Sequence, residues 1–185
     1  MKRGKVIVIS APSGTGKTTI CKELLKNIKN LKYSISTTTR PKRAGEKDGF
    51  DYFFVSEKEF KSLIKENYFV EWQKVHNYYY GTSKEFLEKT LNSGFHCLLD
   101  IDVKGGCNLM KQYPDGIFIF LAPPSLNELE KRLKQRGTEN EKDLKVRLKN
   151  AEKEMKYKKY YDYVVINNKL DETVNKIVEI IKNNV

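Results

Sequence analysis

Cysteine, histidine and tryptophan are scarce in this 185-residue chain, which has three, two and one of them. Cys21, Cys97 and Cys107 are odd in number and form no Cys-x-x-Cys pair. A disulfide framework is therefore not indicated, and buried reduced thiols suit Cys97 in a strand and Cys21 in a helix. With His76 and His96 as the sole imidazoles, a His/Cys zinc site has too few ligands. No apolar stretch is long enough to span a membrane. Met1-Lys2-Arg3-Gly4-Lys5 runs straight into a strand, which leaves no space for a leader peptide and sets the expectation of a cytoplasmic protein.

Acidic residues are also short in supply: 24 Asp and Glu stand against 35 Lys and Arg, for a net charge of +11. Such a balance suits either a nucleic-acid binder or a lysine-rich solvated surface that also draws phosphate substrates. Lysines interleaved with acids, as in Glu57-Lys58-Glu59 and Glu152-Lys153-Glu154, favour the second reading. Neither nucleic acid nor membrane is expected as a partner. The 39% hydrophobic content is enough for the core of one compact domain carrying small insertions.

Against these absences one segment stands out. Ser10-Ala11-Pro12-Ser13-Gly14-Thr15-Gly16-Lys17-Thr18-Thr19 follows the apolar run Val6-Ile7-Val8-Ile9 and opens an amphipathic helix. Gly14 and Gly16 permit the backbone angles that wrap N–H groups around an anion. Lys17 can reach the outer phosphates of a nucleoside triphosphate, and the Thr18 hydroxyl can ligate Mg²⁺. The helix N-terminus adds partial positive charge. The first glycine of the usual pattern is replaced by Ala11.

Around this segment, strand and helix patterns alternate. Strands are predicted over 5–10, 33–36, 96–101, 117–121 and 163–167. Helices are predicted over 18–29, over 126–136 with a Ser125/Glu128 capping box, and over 170–182 with Leu170, Val174, Ile177 and Ile181 on one face. This order predicts an α/β fold: a parallel sheet with helices on both faces. Residues 40–92 break the rhythm, with short strands at 51–55, 69–75 and 79–82 and a helix at 56–67 capped by Ser56 and Glu59. They read as a small α+β insertion beside the phosphate site. The polar stretch 135–143 is a lid candidate.

Asp100 and Asp102 end the apolar strand Cys97-Leu98-Leu99, where ligands bind in such sheets. A carboxylate there holds Mg²⁺ directly or through water. The competing reading is an Asp opening the next turn, with Gly105-Gly106 behind it. Arg40 and Arg43 flank Pro41 and offer two guanidinium forks suited to a phosphate monoester. Glu71 lies between Val70 and Trp72 and faces opposite to both.

The run Ser34 through Arg43, then Ala44-Gly45-Glu46, Gly49 and Asp51-Tyr52-Phe53, resembles the guanylate kinase family. So do Val70-Glu71-Trp72, Tyr79-Tyr80-Gly81-Thr82, Leu99-Asp100-Ile101-Asp102, and Lys131-Arg132-Leu133 with Arg136-Gly137-Thr138 and Arg147-Leu148. The matches occur in order along nearly the whole chain, and Ala11 looks like the bacterial type. The resemblance implies a P-loop NTPase three-layer sandwich with a parallel central sheet, a small α+β GMP-binding insertion and a helical lid. It divides the chain into a core (1–33, 93–125 and 160–185), the insertion (34–92) and a lid region with flanking helices (126–159).

The resemblance also implies roles. Arg40, Arg43, Tyr52 and Tyr80 hold the GMP phosphate. Glu71 accepts from guanine N1–H and the exocyclic amine, Ser36 and Thr82 donate to O6, and Asp100 joins the acceptor site. Adenine presents the opposite edge, and its rejection by a buried carboxylate could reach about 10⁴-fold. Ala11, Pro12, Ser13, Gly14, Thr15, Gly16, Lys17, Thr18 and Thr19 surround ATP, and Asn167 approaches its adenine. Lys17, Arg40, Arg136 and Arg147 are the implied catalytic residues; Thr18 and Asp100 are the Mg²⁺ ligands. The implied activity is reversible ATP-dependent phosphorylation of GMP and dGMP in purine nucleotide metabolism, by a monomer or homo-oligomer. The alternative is a catalytically silent interaction module, a form that loses phosphate-loop or lid residues; Lys17, Thr18, Arg40, Arg136 and Arg147 are all present here.

Overall fold

The computed structural model describes residues 2–75, 77–135 and 141–185, and the side chains of all of these but 141–143. In chain order the strands are β1 (Val6–Ser10), β2 (Leu31–Tyr33), β3 (Thr37–Thr38), β4 (Phe53–Phe54), β5 (Phe69–Val75), β6 (Tyr78–Ser83), β7 (His96–Asp100), β8 (Ile117–Ala122) and β9 (Tyr163–Ile166). The helices are α1 (Lys17–Asn27), α2 (Glu57–Lys65), α3 (Lys84–Asn92), α4 (Val103–Gln112), α5 (Leu126–Gln135), α6 (Glu141–Met155) and α7 (Leu170–Asn184), with a 3₁₀ turn at Lys156–Tyr160.

Five strands form a parallel sheet in the order β2-β7-β1-β8-β9. β1 lies at its centre and is buried along its whole length, as an uninterrupted apolar run requires when helices cover both faces. Its side chains alternate between two cores. Ile7 and Ile9 pack with Ile20 and Leu24 of α1 and Ile177 and Ile181 of α7. Val6 and Val8 pack with Leu87 and Leu91 of α3 and Leu109 of α4. The result is the expected three-layer α/β arrangement. Register places Ile9 beside Asp100, so the phosphate loop leaving β1 and the carboxylate ending β7 emerge side by side.

A second sheet, in the order β4-β3-β6-β5, is the expected α+β insertion. Its helix α2 has the full Ser56/Glu59 capping box. The buried Phe60 of α2 stacks on Phe69, with ring centroids 4.5 Å apart, and on Tyr79 at 5.4 Å.

Several local expectations need correction. The strand expected over 33–36 ends at Tyr33; Ser34 N–H still bonds Leu98 O at 2.9 Å, and the chain then crosses to the second sheet at Thr37. α3 and α4 add two helices to those that the sequence predicts. Asp102 caps α4, its carboxylate accepting from the N–H groups of Lys104 and Gly105. Ser125 accepts from Glu128 N–H at 3.1 Å, yet the Glu128 carboxylate turns to Arg132, so only half of that capping box forms. Leu170 is exposed, leaving Val174, Ile177 and Ile181 as the buried face of α7. Among the described residues, no helix is long and apolar enough to cross a membrane.

Candidate active site

The carboxyl ends of β1 and β7, the start of α1, the second sheet and α6 enclose a cleft of about 640 Å³. The loop from Ala11 to Gly16 forms one wall. Its turn is closed by Thr15, whose N–H and hydroxyl both donate to Pro12 O, at 3.2 and 2.7 Å. Gly16 has φ 101°, a left-handed conformation that a side chain would strain. From this turn Lys17 projects into the cleft, and its ammonium lies 2.9 Å from Asp100 Oδ1. Burial alone would lower the Lys17 pKa; the Asp100 carboxylate outweighs it and leaves the ammonium pushed up to about 12. Cys21, one turn along α1, is buried, and its thiol is pushed well above the ordinary range by that burial.

The opposite wall comes from the second sheet and the loop before it. Arg40 is 8% exposed, and its guanidinium donates to Glu46 Oε1 at 2.6 Å and Pro41 O at 2.8 Å. The other Glu46 oxygen accepts from Arg43 N–H at 2.8 Å, so one carboxylate orders both arginine positions. The Arg40 guanidinium lies 5.3 Å from the Tyr52 ring centre and 5.8 Å from that of Phe54. Tyr80 meets Tyr52 edge-on at 6.0 Å. Burial, with Asp100 adding to it, pushes the Tyr52 hydroxyl up to about 12, so it remains a hydrogen-bond donor at neutral pH.

Deeper in the cleft lies Glu71, 7% exposed. The Thr82 hydroxyl donates to Glu71 Oε1 at 2.7 Å. Burial raises the Glu71 carboxyl to about 7; the Thr82 bond works against this and the nearby Asp102 charge adds to it. A register shift between Phe69 and Glu71 marks a bulge just before Glu71. Asp102 and Ser36 line the same end.

From α6, Arg147 reaches the loop and donates to Ser13 Oγ at 2.5 Å. Glu154, two turns further along, lines the same cleft; its carboxyl is raised by burial, partly offset by Lys17. A second pocket of about 400 Å³ lies behind the loop and contains Thr19, Arg132, Asn167 and Asn168.

Ala11 to Thr18, Ser36, Arg40, Arg43, Tyr52, Glu71, Tyr80, Asp100 and Arg147 thus share the main cleft. Thr82 stands behind Glu71, and Thr19 and Asn167 face the second pocket. Arg136, Gly137 and Thr138 lie outside the described residues. Glu154 and Tyr33, which no sequence motif marks, also line the cleft. For Glu154, only its seven-residue spacing from Arg147, two helical turns, could have suggested a shared face.

Known proteins match this architecture. The family model described as Guanylate kinase covers residues 3–184. A guanylate kinase of Caldanaerobacter subterraneus subsp. tengcongensis is 52% identical over 97% of this chain and 87% of its own length. One from Rickettsia prowazekii is 48% identical over 97% and 91%. A solved structure of guanylate kinase from Anaplasma phagocytophilum has a TM-score of 0.83 at 32% identity, covering 99% of this chain and 87% of that one. With the match running the length of the chain, the protein belongs to the guanylate kinase family.

Proposed function

We propose that this cleft transfers the γ-phosphoryl group of ATP reversibly to GMP, and to dGMP, giving ADP and the nucleoside diphosphate. The observation that carries the reading is the convergence of two unlike walls on one cavity. A phosphate loop with its lysine faces a wall of Arg40, Arg43, Tyr52 and Tyr80 that ends in a buried carboxylate, Glu71. A catalytically silent module has no use for Lys17, Thr18, Arg40 and Arg147 gathered in this way.

No covalent enzyme intermediate is needed. An oxygen of the GMP phosphate attacks in line, and the protein contributes position and charge. Lys17 and the loop N–H groups hold the donor phosphates, and Lys17 exchanges Asp100 for them. Arg40, Arg43, Tyr52 and Tyr80 hold the acceptor phosphate. Arg147, together with Arg136, supports the migrating phosphoryl group. Glu71 accepts from guanine N1–H and N2–H, with Asp102 beside it as a further acceptor; Ser36 serves O6, and Thr82 joins it when its hydroxyl turns from Glu71. The second pocket, with Arg132 and Asn168, takes the donor base. In this scheme 34–92 is the acceptor segment, 126–159 the lid region, and 1–33, 93–125 and 160–185 the core.

The donor set fits Mg²⁺. Thr18 and Asp100 offer one hydroxyl and one carboxylate, and no three His, Cys, Asp or Glu side chains among the described residues cluster as a cage. That suits a small hard cation that keeps its waters and takes the rest of its shell from phosphate. Thr18 and Asp100 would hold the ion, which would supply positive charge against the phosphates.

An ADP-release assay with GMP, dGMP, AMP and UMP as acceptors tests the reading. Turnover with GMP and dGMP and little with AMP or UMP is expected; equal turnover with all four, or none with GMP, defeats it.

A further inference from the structure

Asn167 follows β9 and is 8% exposed. Three hydrogen bonds pass through it. Its backbone N–H donates to Ala122 O at 2.8 Å, tying it to the end of β8. Its carbonyl accepts from Arg132 Nη1 of α5 at 3.1 Å. Its side-chain amide donates to Thr15 O at 2.7 Å, in the interior and across 152 positions of sequence. The polar end of Asn167 is therefore committed to the phosphate loop. The approach is so close that a Cβ on Gly16 would lie 2.8 Å from Asn167 Nδ2.

The bond fixes more than a carbonyl. A trans peptide is planar and points its C=O and N–H in opposite directions. Holding the Thr15 carbonyl toward Asn167 turns the Gly16 N–H the opposite way. A free carbonyl at this position could rotate inward and repel a phosphate.

We infer that Asn167 is a positioning residue of the phosphate loop, acting on the triphosphate through the Thr15–Gly16 peptide and not through the donor base. The inference rests on the cleft being a triphosphate site, as proposed above. It changes the part that the sequence had suggested for Asn167, from contact with adenine to control of the phosphate cradle.

Inorganic tripolyphosphate carries the phosphate chain without base or ribose, and separates the two roles. Wild-type protein, Asn167→Ala and Asn167→Leu are titrated with tripolyphosphate, ATP and GMP. The leucine keeps the shape, removes the donor and adds no charge. Both variants are expected to lose about five- to tenfold in affinity for tripolyphosphate, the scale of one buried hydrogen bond. The loss for ATP should match it, and GMP affinity should be unchanged. Unchanged tripolyphosphate affinity, with or without weaker ATP binding, overturns the inference. Should the variants fail to fold, NMR on asparagine-labelled wild type decides. Its Asn167 amide protons should be protected and respond to tripolyphosphate but not to adenosine; the reverse response overturns the inference. Wild-type protein that binds tripolyphosphate but releases no ADP with GMP would defeat the phosphotransfer reading and leave this comparison intact.

Discussion

The Lys17 ammonium is 2.9 Å from the Asp100 carboxylate, with side-chain exposures of 21% and 10%. The pair exists because β1 and β7 are neighbours in register and the phosphate loop returns Lys17 over the end of β7. The carboxylate gives the ammonium a charged partner.

Lys17→Ala should therefore separate activity from stability. Turnover should fall by about 10²-fold or more, the scale of losing one preorganised charge at the reacting group. Stability should fall by less than the ~3–5 kcal/mol of breaking a fully buried pair, because solvent reaches both partners. ADP release and thermal melts of the same preparation check this; near-normal turnover in a folded variant removes Lys17 from the mechanism.

Glu71 carries a stability cost with a definite sign. Its folded-state carboxyl is raised to about 7, above the ordinary value of 4.5. The folded state thus holds the proton more tightly than the unfolded chain. Stability from this group is fully present below about pH 4.5 and is lost as pH rises through 7. Glu71→Gln should remove that slope and stabilise the ligand-free protein at pH 8 by about 1–3 kcal/mol, with the difference vanishing near pH 4.5. The same change should weaken GMP use by about 10²-fold or more, since an amide cannot accept from both guanine donors. Urea titrations at the two pH values and GMP kinetics measure both effects; a variant that uses GMP normally rejects the guanine-reading role.

Glu46 is expected to matter for the acceptor without touching it. One of its oxygens holds the Arg40 guanidinium and the other the Arg43 N–H. Glu46→Ala should raise the KM for GMP by about tenfold through misplaced arginines. The KM for ATP should hold steady. Equal changes in both constants would indicate a general loosening of the cleft instead.

Much of this site is legible in the residues alone, and Glu71 marks where legibility ends. Alternation along Val70-Glu71-Trp72 sets Glu71 against Trp72, and the first is buried while the second is exposed. The bulge at Val70 depends on the partner strand, which alternation along one strand cannot register. The phosphate loop was readable because strand, turn and helix are contiguous. Glu154 and the side-chain bond of Asn167 were not, since each depends on chain segments far apart in sequence. Gly105-Gly106 suggested a turn because glycine weakens helices. Both lie inside α4, where close neighbours leave no space for a side chain.

That crowding gives a selective lever on the acceptor site. A Cβ on Gly105 would lie 2.6 Å from Glu71 Oε2 and 3.2 Å from Asp102 Oδ2. Alanine in a helix interior gains about 1 kcal/mol over glycine, so the backbone should welcome Gly105→Ala while the carboxylates are pushed aside. The expected result is little net change in stability, a drop of about tenfold or more in kcat/KM for GMP, and an unaltered KM for ATP. Gly106→Ala is the contrast. Its Cβ would meet the Tyr161 hydroxyl at 2.1 Å in the core between α4 and the sheet. That variant should lose about 1–3 kcal/mol of stability by overpacking. Thermal melts and acceptor kinetics on the two neighbouring substitutions measure the separation. If Gly105→Ala uses GMP as well as wild type does, Glu71 is not held in place by the bare face of α4.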